Sequence, residues 1–212
     1  MRFPIIARIA ISSVLTSLLL SQPAWGWGAD GHMMINRLAV QYLPSDVPAF
    51  LRDKAALDTM QYLGPEPDRW RNKAEDELSQ TQAADHFIDM EWAAYGEVPC
   101  PAATMPGCVD GKMYPRKRYD FIRALTAGQA AFNAANPTLK VQLTPEKIGL
   151  QPWQTEEVWQ RLKVDFREYR KLVAAKGDTK PVELAIVFDA GWLGHYVGDG
   201  SQPLHTSIQY NG

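Results

Sequence analysis

The sequence lacks an excess of positive charge, a second long apolar run and any internal repeat. Its 212 residues include 22 Lys and Arg, 24 Asp and Glu, four His and only two Cys. Such a mildly acidic chain argues against strong attraction to duplex nucleic acid through a basic surface, but it does not exclude a phosphate substrate that is drawn to a bound metal. After the apolar run near the start, no apolar run of comparable length follows, which argues against an integral membrane protein.

The first 26 residues have the three parts of a secretory signal peptide. Arg2 and Arg8 form a basic region, an apolar region follows, and Ala-Trp-Gly before Trp27 provides the small residues of a cleavage site. Cleavage would leave Trp27 as the new amino terminus, and the loss of two basic residues would take the net charge from −2 to about −4. We therefore expect a secreted or periplasmic protein, with residues 27–212 forming one domain.

The two cysteines lie close together in the segment PCPAATMPGC. In an exported chain, Cys100 and Cys108 are expected to form a local disulfide bond that fixes a loop. The alternative is a metal site with two thiolate ligands, but suitably spaced partner ligands are lacking nearby.

Apolar residues recur mostly at three- and four-residue steps, the spacing of amphipathic helices. The pattern predicts an all-α fold, a single-domain helical bundle without a series of strands. The last helix begins near Pro181 and is apolar on nearly all sides, so we expect it to be central and buried. The other predicted helices end or begin at Pro, Gly or capping residues and cover residues 31–43, 46–63, 116–135 and 155–175.

The segment HYVGDGSQPLH (195–205) ends this last helix. His195 and Asp199 are four residues apart, so they share a helix face and can reach one metal ion. Such a pair is more often a simple hydrogen-bonded pair. In a continuous helix, His205 would lie about 15 Å farther along the axis, so either two metal centres or a sharp bend is expected. All four histidines occur beside a carboxylate or in punctuated segments, namely WGADGH, ADHFID and HYVGDGSQPLH.

Several of these segments together resemble the zinc-dependent phospholipase C and single-strand-specific nuclease superfamily, which includes the fungal nucleases S-one and P-one. They are WGADGH after the cleavage site, DRWR at 68–71, HFID at 86–89 and the His-x3-Asp-x5-His run that begins at His195. They occur in the family's order and extend from Trp27 to near the end of the chain. The resemblance implies a mostly helical fold that holds three zinc ions.

The resemblance also implies the ligands of each ion. Asp68, His86, His195 and Asp199 would bind the first zinc ion. The second would be bound by the amine and carbonyl of Trp27, by His32 and by Asp199, which bridges the pair, while His205 belongs to the third. For Trp27, the alternative is an ordinary mature terminus.

Zinc ions in such a cluster hydrolyse phosphodiesters by activating water and stabilising the leaving alkoxide. By resemblance, Asp68 and Asp199 take part in catalysis and Arg71 holds a phosphate oxygen. Phe87 stacks on a nucleobase that Asp89 binds by a hydrogen bond, so the substrates would be single-stranded DNA or RNA and nucleotide 3′-phosphates. A surface salt bridge for Arg71 and a core position for Phe87 remain alternatives.

The chain departs from the family pattern after His205. The fungal enzymes have a further His-x3-Asp pair that completes the third zinc site, and Gly212 comes before any such pair. We therefore expect two largely complete zinc sites, in a fragment of a longer protein or in a truncated homologue. A phospholipase C acting on lipid head groups and a non-catalytic metal-binding protein are the alternative functions, and no stable protein partner is predicted.

Overall fold

A computed structural model describes residues 27–209, so the predicted signal peptide lies outside the described residues. The described part is mostly helical, which confirms the all-α prediction. Its α-helices are α1 (Ala29–Gln41), α2 (Lys54–Leu63), α3 (Glu66–Arg69), α4 (Asp76–Ala83), α5 (Met90–Ala93), α6 (Arg118–Ala135), α7 (Pro145–Ile148), α8 (Gln151–Ala175) and α9 (Lys180–Gly200). Short 3-10 turns cover Ala49–Arg52, Ala84–His86, Ala94–Gly96 and Pro203–His205. The antiparallel pair β1 (Val98–Pro99) and β2 (Lys112–Met113) has two residues in each strand.

Four of the five predicted helices occur close to their predicted bounds, as α1, α6, α8 and α9. The single helix predicted over residues 46–63 is wrong. The chain forms the 3-10 turn Ala49–Arg52, becomes extended at Asp53 with ψ 147°, and only then begins α2. Aspartate is unfavourable inside a helix and is preferred at the position immediately before one. The apolar periodicity continued across this break and concealed it.

The last two long helices form an antiparallel hairpin. Lys176 ends α8 in the left-handed conformation, with φ 52°, and the amide of Gly177 donates to the carbonyl of Leu172, which is the pattern of a Schellman cap. Pro181 then lies in the first turn of α9. Amides of the first turn have no partner within the helix, so the missing N–H of proline costs nothing there. The hairpin brings the apolar side of α8 against α9.

Helix α9 packs against α1 and α2 as well as α8, so it is central in the fold. Its predicted central position is confirmed, but its burial is incomplete, because Leu184, Phe188 and Val197 are exposed. Val164, an apolar residue of α8, is exposed too. Periodicity identified these helices but could not tell which apolar residues a neighbouring element covers.

Two apolar clusters stabilise the described part of the chain. The first lies between α1, α2, α8 and α9 and includes Val40, Met60 and Ile186. The second lies around α6 and includes Phe121, Phe132 and Trp153. None of the helices in residues 27–209 is long and apolar enough to cross a membrane.

Cys100 and Cys108 are joined by a disulfide bond, with a Cα–Cα distance of 5.9 Å. This confirms the predicted pairing. The bond closes the loop between β1 and β2.

Candidate metal centre

Helix α9 carries two fully buried polar side chains, His195 and Asp199. His195 Nε2 lies 3.0 Å from Asp199 Oδ2, as the four-residue spacing predicts. On its other side, the ring places Nδ1 2.7 Å from the carbonyl oxygen of Gly64. Since a carbonyl oxygen only accepts, Nδ1 donates and the lone pair of a neutral ring lies on Nε2. The connection after α2 therefore orients His195 for binding through Nε2.

Helices α1 and α3 bring His32 and Asp68 to the same place. The ring of His32 stacks on that of His195 with centroids 4.0 Å apart, and its Nε2 lies 3.4 Å from Asp199 Oδ1. Asp68 Oδ2 is 3.7 Å from His32 Nε2. The Asp68 side chain is 34% exposed, so it lies at the edge where the buried cluster meets solvent.

His86 reaches the cluster from the 3-10 turn Ala84–His86. This turn is held by backbone hydrogen bonds from the segment before α8: the amide of Leu150 donates to the carbonyl of Ala84, and that of Gln151 to the carbonyl of Phe87. Gly149 has φ 85°, and a Cβ atom there would overlap the carbonyl oxygen of Phe87. Only glycine fits this close approach, which brings His86 Nδ1 to 3.0 Å from Asp199 Oδ2 and 2.9 Å from His195 Nε2.

His205 reaches the same carboxylate because the chain bends sharply after α9. The turn Pro203–His205 folds back along the segment after His86, where the amide of Ile88 donates to the carbonyl of His205. His205 Nδ1 consequently lies 3.2 Å from Asp199 Oδ1 and 3.0 Å from the carbonyl oxygen of His86. Of the two expectations for this segment, the sharp bend is the one that the structure has.

The burial and contacts of these groups shift their pKa values in different directions. Burial raises the pKa of the Asp199 carboxyl, but its close contacts with the four imidazoles outweigh burial and hold that pKa far below its usual range. Burial lowers the pKa of His86 against the effect of Asp199. The contact with Asp199 raises the pKa of His205. An ionised Asp199 carboxylate beside a His86 imidazole that burial keeps neutral suits a cation-binding site.

The donor set fits a divalent metal ion. Two triads have their ligand atoms within 4.8 Å of one another, His32–Asp68–His195 and His86–His195–Asp199. Within residues 27–209, the buried atoms His32 Nδ1, His86 Nε2 and Asp199 Oδ1 have no hydrogen-bond partner. Leaving buried polar atoms without partners is costly. Of these three atoms, Asp199 Oδ1 lies within the cluster, close to His32 Nε2 and His205 Nδ1, and a cation there would satisfy it. Imidazole and carboxylate together are typical zinc ligands.

Trp27 and Arg71 lie at the edge of this cluster. The indole Nε1 of Trp27 donates to the carbonyl oxygen of Gly198, at 2.9 Å, so the residue predicted to become the amino terminus lies beside the residue that precedes Asp199. Arg71 Nη1 is 3.5 Å from Asp68 Oδ1. Its charge adds slightly to the lowering of the His86 pKa by burial and slightly opposes the rise that Asp199 causes in the pKa of His205. Arg71 is exposed, so an anion at the cluster can reach it.

The predicted base-binding residues Phe87 and Asp89 follow His86 directly. Phe87 is half-buried and belongs to neither apolar cluster of the described residues. Asp89 is buried, and desolvation, followed by the charge of Glu91, raises its pKa to about 6. Both residues lie within three positions of the candidate ligand His86 in the sequence. The ring of Phe87 is not part of the apolar core.

Sequence reasoning missed the residues that hold the ligands in place. Asn36 is one turn after His32 on α1, and its Nδ2 donates to the carbonyl oxygens of Met60 and Gly191, which ties α1 to α2 and α9. The segment WGADGHMMIN could have indicated this role, because Asn36 lies one helical turn after a histidine.

A second set of missed residues lies behind His86. Arg118 donates from Nη2 to Asp85 Oδ1 at 3.0 Å and to Gln154 Oε1 at 2.8 Å. Burial, partly opposed by Arg118, raises the pKa of Asp85 to about 6. This ion pair fixes the turn that carries His86 against α6 and α8. Its members are far apart in sequence, and no local pattern indicated them.

Comparison of the chain with protein-family models, with curated proteins and with solved structures found no match.

Proposed function

We propose that the protein is a zinc-dependent phosphodiesterase that hydrolyses single-stranded nucleic acid and nucleotide 3′-phosphates. The observation that carries this proposal is the convergence of four imidazoles on the buried carboxylate of Asp199. The resemblance of the same segments to the phospholipase C and nuclease superfamily points to phosphate esters as substrates.

The two triads that contain His195 would hold the metal, with Asp68 at the exposed edge and Asp199 in the interior. Zinc, when bound, supplies a Lewis acid that activates water near neutral pH and polarises a phosphoryl oxygen. Gly64 keeps the Nε2 lone pair of His195 directed into the cluster. His205 contacts the same carboxylate, and Trp27 contacts helix α9 beside it. These two residues are the candidates for completing the coordination of the metal.

The exposed edge of the cluster suits a phosphate ester. Arg71 is 43% exposed in its side chain, and its planar guanidinium can bind two phosphate oxygens at once. Phe87 offers a half-buried ring on which an unpaired base can stack, and Asp89 can bind the edge of that base. A base held in a duplex cannot reach this ring, so a preference for unpaired substrates follows.

The proposal is tested with matched substrates and matched variants. We expect the zinc-loaded protein to cleave a single-stranded oligonucleotide much faster than the same sequence in a duplex. Chelation should abolish the cleavage, and zinc should restore it. Asp199→Asn keeps the size of the side chain but removes its charge, and we expect it to lower kcat at least 100-fold. Asp76→Asn makes the same chemical change at an exposed position of α4 and should leave kcat unchanged.

Three results would contradict the proposal. Zinc binding without turnover would indicate a non-catalytic metal protein. Hydrolysis of phosphatidylcholine without cleavage of nucleic acid would indicate a phospholipase C. Cleavage that survives both chelation and Asp199→Asn would mean that the histidine cluster is not the catalytic site.

A further inference from the structure

One side of α8 carries alternating aromatic and cationic side chains. Trp159, Lys163, Phe166 and Arg170 recur at steps of four, three and four residues, so they line up along the helix. Arg167 lies beside them. We call these five residues the α8 stripe. It covers about 16 Å of the helix axis, and its last four members line a groove of about 300 Å³.

The three cations of the stripe are available to a ligand. Within residues 27–209, no carboxylate lies within salt-bridge distance of Lys163, Arg167 or Arg170, and all three are exposed. Among the other cations of the helix, Arg161 pairs with Glu157 on a different side, and Lys171, one turn after Arg167, pairs with Glu168. Lys163, Arg167 and Arg170 therefore form an unpaired positive strip in a chain that is acidic overall.

The aromatic members suit a ligand with flat rings. Trp159 is 43% exposed, and Lys163 Nζ lies 3.8 Å from the centroid of its ring. Phe166 also borders the groove, but it is half-buried and packs on the apolar cluster with α9, so Trp159 is the ring of the stripe that is open to stacking. Cations that track a phosphate backbone, interleaved with rings on which bases stack, are the chemistry of single-strand binding surfaces.

A membrane surface is a poorer fit for this stripe. An interfacial helix buries a broad apolar face among the lipids. The apolar side of α8 is already covered, because Leu162, Phe166, Tyr169 and Leu172 pack in the cluster with α9. What remains accessible is a narrow line of charge with one large exposed ring, which complements a flexible polyanion.

The stripe extends away from the metal cluster. At the start of α8, Gln151 Nε2 donates to the carbonyl of Tyr196, the residue after His195. Trp159 is eight residues farther along α8, or about 12 Å, and Arg170 is about 28 Å from the same point. This separation is larger than a single nucleotide, so a ligand that contacts both the cluster and the stripe must be an oligonucleotide.

We propose that the α8 stripe binds single-stranded nucleic acid outside the metal cluster and holds the part of a long substrate that extends beyond the cleaved bond. This inference rests on the proposed function, since it assigns a second contact to the same polymer. It explains how a net acidic protein can bind a polyanion, because the positive charge is concentrated on one strip.

Binding is measured with the zinc-loaded protein and a fluorescent phosphorothioate oligothymidylate of roughly 12 nucleotides, within the site sizes of single-strand-binding modules. Three phosphate contacts on a single strand give a slope of about −2 for log affinity against log salt, or a roughly 20-fold loss between 50 and 200 mM. We expect K163A/R167A/R170A to remove most of this slope. Trp159→Ala should weaken binding roughly 5- to 150-fold, and Trp159→Phe should restore most of it.

The control variant is K112A/R123A/K140A, which removes the same charge from exposed positions around the second apolar cluster, near α6. If it reduces the salt slope as much as the stripe variant does, only net charge matters and the inference is overturned. Stripe-dependent binding to phosphatidylserine vesicles without binding to the oligonucleotide would overturn it too.

Activity separates this inference from the proposed function. The stripe variant should raise KM for an ordinary oligonucleotide while hydrolysis of a nucleoside 3′-phosphate stays unchanged. If the protein binds the phosphorothioate through the stripe but never cleaves ordinary nucleic acid, the proposed function fails and the inference stands. If it cleaves oligonucleotides with a KM that does not depend on the stripe, the inference fails alone.

Discussion

Replacing Asp189 by asparagine tests how strongly a buried carboxyl opposes the folded state. Asp189 lies on α9 and is only 8% exposed. Desolvation raises its pKa from 3.8 to about 6, and the neighbouring carboxyl of Asp165 adds to this effect while Arg161 opposes it. Asparagine has nearly the same shape and no charge, so Asp189→Asn removes the cost of burying a carboxylate.

The pH dependence follows from the direction of this shift. The folded state binds the proton of Asp189 more tightly than the unfolded state does, so the stability that the protonated group contributes is fully present below about pH 4. It is lost as the pH rises through about 6. At 1.36 kcal/mol per pKa unit, the difference between 3.8 and about 6 corresponds to at most about 3 kcal/mol. Asp189→Asn should therefore exceed the native protein in stability by up to this amount at neutral pH, and by little near pH 4.

The measurement is the difference in Tm between the two proteins across this pH range. The Tm of a domain of this size rises by about 2–4 °C for each kcal/mol added to the free energy of unfolding. We therefore expect a higher Tm for Asp189→Asn at about pH 7.5 and a vanishing difference near pH 4. The pH dependence of all other groups is common to both proteins and cancels in the comparison. Asp76→Asn serves as the exposed control. A lower Tm for Asp189→Asn at neutral pH would refute the reasoning, because it would show that the carboxylate is needed as an acceptor.

Two further predictions concern packing and covalent structure. Gly194→Ala should destabilise the fold by about 1–3 kcal/mol, because its Cβ would overlap the amide oxygen of Asn36. The double variant with Asn36→Ala should cost less than the two single changes together, as thermal unfolding of all four proteins will show. Replacing Cys100 and Cys108 by serine should cost about 2–3 kcal/mol by loop entropy, since the bond spans 8 residues, and urea unfolding measures the loss.

The helices were largely predictable because their apolar periodicity is a local property. Where a local interruption was weak, as at Asp53, the prediction joined two elements into one. The exposed Leu184 and Phe188 of α9 show the other limit. An apolar side chain indicates a helix, but whether it is covered depends on the position of a different segment of the chain.

The candidate metal ligands were predictable for a different reason. Histidine is scarce in this sequence, and each histidine occurs in a segment with its own unusual pattern, so scarcity and local motif together indicated all four, and the resemblance added Asp68. Their supporting contacts were not marked in this way. The carbonyl of Gly64 that orients His195 and the amide of Asn36 that ties three helices together are common chemical groups, and only the fold gives them a role.

The bend that brings His205 to Asp199 depends on both a local sequence pattern and a long-range contact. A continuous helix would have separated His205 from His195 by about 15 Å, but backbone pairing with the segment after His86 reverses the chain. Asp199 therefore contacts histidines from four segments that meet only when α1, α9 and the turns around His86 and His205 have packed. A cation that binds this arrangement binds the folded state and has no equivalent site in the unfolded chain. It must then stabilise the fold by RT ln(1 + [L]/Kd), so formation of the centre and long-range packing are a single equilibrium.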